Sequence, residues 1–210
     1  MKPRIILYNP RSNASGKKIL PMSLLALGAV LENKYDYAIV DGNSASDPVS
    51  AIREKVQAGA NLLAVTVMPG PQLSQAVPHC RALKQEFPQL TIVWGGYFPT
   101  QHADVCLKSP FVDWVVRGHG EMVFLELLDA LARDGNYRTI VGLAYRDEQG
   151  GVIQNPLAPI PHPDHLPLFP YHRVDIQQYI RPTFLGTRTL PHHSSYGSRS
   201  FAISAQSSTW

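Results

Sequence analysis

Residues 62–96 read LLAVTVMPGPQLSQAVPHCRALKQEFPQLTIVWGG, and this stretch decides the fold class. It opens on an apolar run at 62–67 and breaks at Pro69-Gly70-Pro71. It continues at helical spacing from about 72 to 87 and ends on a second apolar run at 91–94, followed by Gly95-Gly96. Strand, crossover helix and strand in that order form a β-α-β unit, which makes the two strands parallel. Three further runs of the same kind lie at 4–8, 37–41 and 113–116. Each is rich in Val, Ile, Leu or aromatic residues, as strands covered on both faces require.

The segments between these runs carry helical signals. Pro21 precedes Leu24, Leu27 and Leu31; Asp47 is placed to cap a helix that starts at Pro48; Leu73, Val77, Leu83 and Phe87 share one face of the third helix, with Pro78 expected to kink it. A short helix is expected at 100–107 and another at 121–132, with Leu125, Leu128 and Leu131 toward the sheet. The alternation predicts an α/β protein, a doubly wound sheet of five parallel strands. Beyond Gly135 the period becomes that of a β-hairpin, 141–146 and 152–154 around Glu148-Gln149-Gly150-Gly151, expected to extend or cap the sheet. From 156 to 191, eight of the 18 prolines fall within 36 residues, which predicts an extended connector and no second core. His162, His165, His172, His192 and His193 also follow Pro156.

Composition narrows the partners. With 44% hydrophobic and 17% charged residues the 210-residue chain reads as one globular domain with an extension. The net charge of +3 is spread without blocks, so no nucleic-acid stripe is written in it. No apolar run exceeds about eight residues, short of the roughly 20 that span a bilayer, and residues 5–8 are too short for a signal-peptide core. The expected location is the cytoplasm, with no membrane partner. Cys80 and Cys106, in different predicted elements, read as buried thiols.

In an open parallel sheet, ligands bind at the carboxyl ends of the strands. The loops there are Asn9-Pro10-Arg11-Ser12-Asn13, Asp41-Gly42-Asn43, Met68-Pro69-Gly70-Pro71, Gly95-Gly96-Tyr97-Phe98-Pro99-Thr100 and Arg117-Gly118-His119-Gly120-Glu121. One glycine at a strand end is an ordinary turn residue. Gly95, Gly96, Gly118 and Gly120 at adjacent ends instead bare the backbone to a flat ligand and open a helix with free N–H groups. G-x-G-x-x-G after the first strand and G-x-x-x-x-G-K-[ST] are both absent, Gly16-Lys17-Lys18 being a poor imitation of the latter. A phosphoryl-accepting receiver would need acidic residues where Asn9 and Met68 stand. Asp41 and Glu121 read first as caps of free N–H groups, and His119 as either a ligand contact or a surface residue.

The full loop set resembles the N-terminal cobalamin-binding domain of B12-dependent radical S-adenosylmethionine proteins. The resemblance rests on Asn9-Pro10, residues 20–28 (LPMSLLALG), Val40-Asp41-Gly42, residues 65–69 (VTVMP), residues 93–100 (VWGGYFPT) and residues 116–121 (VRGHGE), and it extends over roughly 1–197. It implies a flavodoxin-like α/β fold, with a corrin lying flat across the strand ends and its nucleotide tail beside the sheet. Cofactor contacts are then expected from Asn9, Asp41, Gly42, Thr66, Val67, Met68, Pro69, Gly95, Gly96, Tyr97, Phe98, Arg117, Gly118, His119, Gly120 and Glu121. The D-x-H-x-x-G signature is absent, so the resemblance implies no protein ligand to cobalt and no catalytic residue in this chain. The expected organisation is a cobalamin-binding domain at 1–155, a proline- and histidine-rich linker at 156–197 and an aberrant tail at 198–210.

The same family continues into a barrel whose C-x-x-x-C-x-x-C motif holds a [4Fe–4S] cluster that binds S-adenosylmethionine. After Ser194-Ser195-Tyr196-Gly197, where that motif is due, the chain reads SRSFAISAQSSTW. A shifted frame turns Phe201-Ala202 and Ser204-Ala205 into cysteine codons where the joined third bases are T, so a frameshift is the expected origin of this end. The resemblance thus implies a cobalamin module inactive by itself, with cluster and S-adenosylmethionine belonging to an intact parent. The residues alone leave two other readings open. One is a flavin- or nucleotide-dependent transferase using Asp41, Arg117, His119 and Glu121; the other is a non-catalytic interaction domain.

Overall fold

Five short strands alternate with helices along the first 132 residues and assemble into one sheet. The computed structural model describes residues 2–13, 18–133, 135–162, 164 and 166–191. His165, His192 and His193, the expected position of the cluster motif and the tail at 198–210 lie outside them. The elements are β1 (Ile5–Asn9), α1 (Met22–Leu31), β2 (Tyr37–Asp41), α2 (Pro48–Gln57), β3 (Leu62–Thr66), α3 (Pro71–Glu86), β4 (Thr91–Gly95), α4 (Tyr97–Gln101), α5 (Ala103–Leu107), β5 (Trp114–Val116) and α6 (Gly120–Ala132). The hairpin strands β6 (Leu143–Arg146) and β7 (Val152–Gln154) follow. The order is β2-β1-β3-β4-β5-β6-β7, the first five parallel and the last two antiparallel. The sheet is therefore the predicted five-stranded doubly wound one, extended to seven strands by the hairpin. No helix among the described residues is long and apolar enough to cross a membrane.

Strand alternation sorts the core into two layers. Ile5, Leu7, Leu62, Ala64, Val93 and Val116 face α1 and α6, while Ile6, Tyr8, Leu63, Val65, Ile92 and Trp94 face α2, α3 and α5. Cys80 and Cys106 are free and buried in the second layer, where burial pushes both thiols up to about 12.

Several helices differ from expectation. Helix α3 begins at Pro71, behind Gly70 at φ +86, and stays continuous through Pro78. Pro78 and Ser74 are both exposed, so water can take the Ser74 carbonyl that loses its helical donor. The buried seam of α3 is Gln72, Ala76, Cys80 and Leu83; Leu73, Val77 and Phe87 flank it half-buried. The single helix expected at 100–107 is instead α4 and α5, broken at His102 (φ −130, ψ 43), because Gly96 turns the chain into a helix at once.

The proline-rich segment is more than a connector. Two 3-10 turns, Tyr171–Arg173 and Ile176–Tyr179, precede a small antiparallel pair, β8 (Arg181–Thr183) and β9 (Gly186–Thr189). Tyr179 is buried with Leu20 and Leu25, and Phe169, Tyr171, Val174 and Ile176 pack around them. Arg173 pairs with Glu32 at 2.7 Å and lies over the Tyr37 ring. Helix α1 is thus covered on two sides, which explains a sequence that is apolar around its whole circumference. At Gly28 a Cβ would stand 2.9 Å from Tyr37 Oη and 3.1 Å from Pro170 Cγ, so this strap lies close only over glycine.

Under the sheet, Tyr8 Oη and His79 Nδ1 are 2.7 Å apart. Burial holds the His79 imidazole below its ordinary pKa of 6.5. The unfolded chain therefore binds this proton more readily than the folded one, and stability is fully present above about pH 6.5 and lost as pH falls toward the folded value. His79→Phe should flatten that part of the pH dependence, whose slope is at most about 1.4 kcal/mol per pH unit for one proton. Thermal unfolding of both proteins between pH 5 and 8 measures it; parallel curves would refute the assignment.

Candidate functional site

On the α1–α6 face the side chains are smaller beyond Leu62: Ala64 and Thr66 on β3, and Gly95 after Val93 on β4. The helices do not fill the space this leaves, and a cleft opens at the carboxyl end of the sheet. It holds about 150 Å³, floored by Ala64, Val93, Gly95 and Val116 and walled by Ser23 and Leu27 of α1 and Phe124 of α6. Its mouth carries Thr66, Gly96, Gly118, His119, Gly120 and Glu121. A cleft of this size is below the roughly 300–1,000 Å³ of whole-ligand pockets, so it suits one ring system whose remainder lies on the open rim.

The glycines play different parts. Gly95 has ordinary backbone angles, and a Cβ there would meet only Val116 O at 3.6 Å and Val116 Cβ at 3.9 Å, leaving a side chain to project into the cleft. Gly96 is required by the fold itself: its φ is +97, and a Cβ would press on Thr66 Oγ1 and the Val67 backbone at 3.1 Å. Gly118 has φ +75 and is exposed. The Thr100 hydroxyl donates to Gly96 O at 2.7 Å and accepts from Gly118 N–H at 2.9 Å, tying the two glycine loops together. Helix α6 starts at the cleft, directing the N–H groups of its first turn there. Ser23 Oγ and Thr66 Oγ1 lie 3.4 Å apart on the wall.

The residues singled out from the sequence divide into groups. Thr66, Gly95, Gly96, Gly118, His119, Gly120 and Glu121 meet at the cleft. Met68, Pro69 and Tyr97 are exposed on the rim beside it, with Phe98 half-buried. Asn9 and Asp41 are buried in a polar network at the tips of β1 and β2, where Asn9 Nδ2 donates to Asp41 Oδ1 at 2.8 Å. Asp41 accepts the Asn43 N–H as well as side-chain donors, so it is the hub of a network more than a helix cap. Gly42 closes this corner, since a Cβ would come within 2.9 Å of Arg11 N and Asn9 O. Val67 has a fully buried side chain, and Arg117 turns toward the hairpin, its Nη1 donating to Asn155 O at 2.9 Å. Ser23, Leu27 and Phe124 escaped the sequence reading because only the packing of α1 beside α6 brings them to the strand ends.

A planar heterocycle with polar edges fits these walls: apolar and glycine-bared surface on the flat sides, hydroxyls and N–H groups at the mouth. Comparison with known proteins points the same way. The sequence pattern described as the B12 binding domain matches residues 12–128. The chain is 31% identical over 187 residues to the anaerobic magnesium-protoporphyrin IX monomethyl ester cyclase of Synechocystis sp., covering 84% of this chain and 37% of that protein. It is 26% identical over 184 residues to an uncharacterized methyltransferase of Pyrococcus horikoshii, covering 84% and 40%. The chain therefore spans about two fifths of the length of these relatives. Among solved structures, the cobalamin-dependent S-adenosylmethionine radical enzyme OxsB, with aqua-cobalamin and S-adenosylmethionine bound, superposes with a TM-score of 0.66 at 19% identity, over 75% of this chain and 22% of that one. The radical S-adenosylmethionine methyltransferase TsrM of Kitasatospora setae, with cobalamin and a [4Fe-4S] cluster bound, gives 0.60 at 22% identity, over 74% and 31%. These two likenesses establish the shared fold. With the family pattern spanning more than half of its 210 residues, the chain belongs to the B12-binding domain family.

Proposed function

We propose that this chain seats cobalamin with the corrin across the loops after β1, β3, β4 and β5 and the nucleotide tail in the cleft between α1 and α6. The cleft carries this reading: it opens at the strand ends, is floored by Ala64 and Gly95, and takes one ring system while leaving the rim free for a larger one. Ser23 and Thr66 would hydrogen-bond the buried heterocycle, and the first-turn N–H groups of α6 would meet oxygens of the tail. Met68 and Tyr97, exposed at the mouth, would lie against the corrin edge. Cobalamin supplies a cobalt centre that carries a methyl group or an electron; the residues of this chain bind it and shield one face from water.

In a longer protein the module would work beside a domain holding a [4Fe–4S] cluster and S-adenosylmethionine, in methyl transfer or a related radical reaction. The described residues would supply the cofactor seat, with residues 169–179 strapped over α1 beside it. Protein incubated with hydroxocobalamin and desalted should retain close to one equivalent of corrin absorbance. Retention of flavin or nucleotide in its place, or of nothing, overturns the proposal.

A further inference from the structure

Asp41 is 7% exposed, forms no salt bridge among the described residues, and has neutral groups as its hydrogen-bond donors. Oδ1 accepts from Asn9 Nδ2 at 2.8 Å and from the N–H and Nδ2 of Asn43 at 3.1 and 3.0 Å. Oδ2 accepts from the Tyr179 hydroxyl at 2.7 Å. The chain of bonds continues. Asn9 Oδ1 accepts from Gln72 Nε2 at 2.7 Å, and Gln72 Oε1 accepts from the Met68 N–H at 3.0 Å. The tips of β2, β1 and β3 are thereby joined in one line, with Met68 of the rim at one end and Tyr179 of the strap at the other.

Tyr179 lies beyond the family match, which ends at residue 128, and it does not line the cleft. Its hydroxyl also accepts from Ser44 Oγ at 3.2 Å. Without that hydroxyl, Oδ2 loses its donor in a buried place, and the carboxyl group can turn to find another at the expense of its bond with Asn9. Such a penalty is large enough to shift the loop conformation.

We propose that Tyr179 is a positioning residue for the cofactor loops. Through Asp41, Asn9 and Gln72 it sets the loop bearing Met68 and Pro69, so docking of the strap and occupation of the rim by cobalamin favour one another. Coupling of this kind is reciprocal. The inference rests on the cobalamin reading above.

The test titrates the full chain and its Tyr179→Phe variant with hydroxocobalamin and follows hydrogen exchange of residues 169–179 with and without the cofactor. The expected result is a five- to ten-fold weaker affinity in the variant, with unchanged circular dichroism, and slower exchange of the strap on cobalamin binding in the wild type only. A structural role alone would lower the thermal midpoint and leave affinity in place. Wild-type protein that binds, beside a folded variant of equal affinity, overturns the inference and spares the cobalamin reading. Wild-type protein that binds nothing overturns both. Should the variant not fold, unchanged wild-type exchange at 169–179 on cobalamin binding is the overturning result, and slowed exchange supports the coupling.

Discussion

Replacing Gly95 with leucine should leave the protein folded and cost at least about a hundred-fold in cobalamin affinity, or ~2.7 kcal/mol. Gly95 ends β4 at backbone angles open to any residue, and the nearest atoms to an added Cβ belong to Val116 at 3.6 and 3.9 Å. The branched side chain then has one place to go, the cleft of about 150 Å³ above Ala64 and Val93. Neighbouring glycines are poorer probes. A side chain at Gly118 would be strained at φ +75, and one at Gly120 would crowd Val116 Cγ1 at 3.2 Å. Gly95→Ala should give an intermediate loss. Titration with hydroxocobalamin beside thermal unfolding separates affinity from stability. A leucine variant that binds as the wild type does would mean that the cleft takes no part in seating the cofactor.

Trp94→Ala should do the reverse, lowering stability by about 3–5 kcal/mol, the usual cost of truncating a buried aromatic to alanine. Trp94 is 2% exposed, packs its ring against Phe111 with centroids 5.9 Å apart, and donates from Nε1 to Cys80 Sγ at 3.4 Å. Few domains have more than about 5–15 kcal/mol in reserve, so the urea midpoint should fall steeply. Trp94 faces α3 and α5, on the side of the sheet away from the cleft. The fraction that remains folded should therefore bind cobalamin with wild-type affinity, and a parallel loss of affinity would show that the two faces are coupled.

The parallel strands were legible because each is a short apolar run buried on both faces, and the loops were legible because glycine and proline mark the strand ends. The cleft was harder to foresee. It comes from small residues, Ala64 and Thr66 beyond Leu62, on one face of a strand whose residues all read alike as core. Ser23 and Phe124 stand 101 positions apart, and no local pattern announces that α1 and α6 meet. The break at His102 was missed because a left-handed Gly96 starts the helix earlier than periodicity alone suggests. Tyr179 lies 138 residues from Asp41, and a tyrosine in a proline-rich stretch carries no local sign that its hydroxyl is committed to a buried carboxylate.

Helix α1 carries one further implication. Leu24 and Leu31 lie under it in the main core, while Leu25, equally inaccessible, is shielded with Leu20 by Tyr179. A cut near residue 155 would strip the outer coat from a greasy rod and leave it to find cover on another molecule.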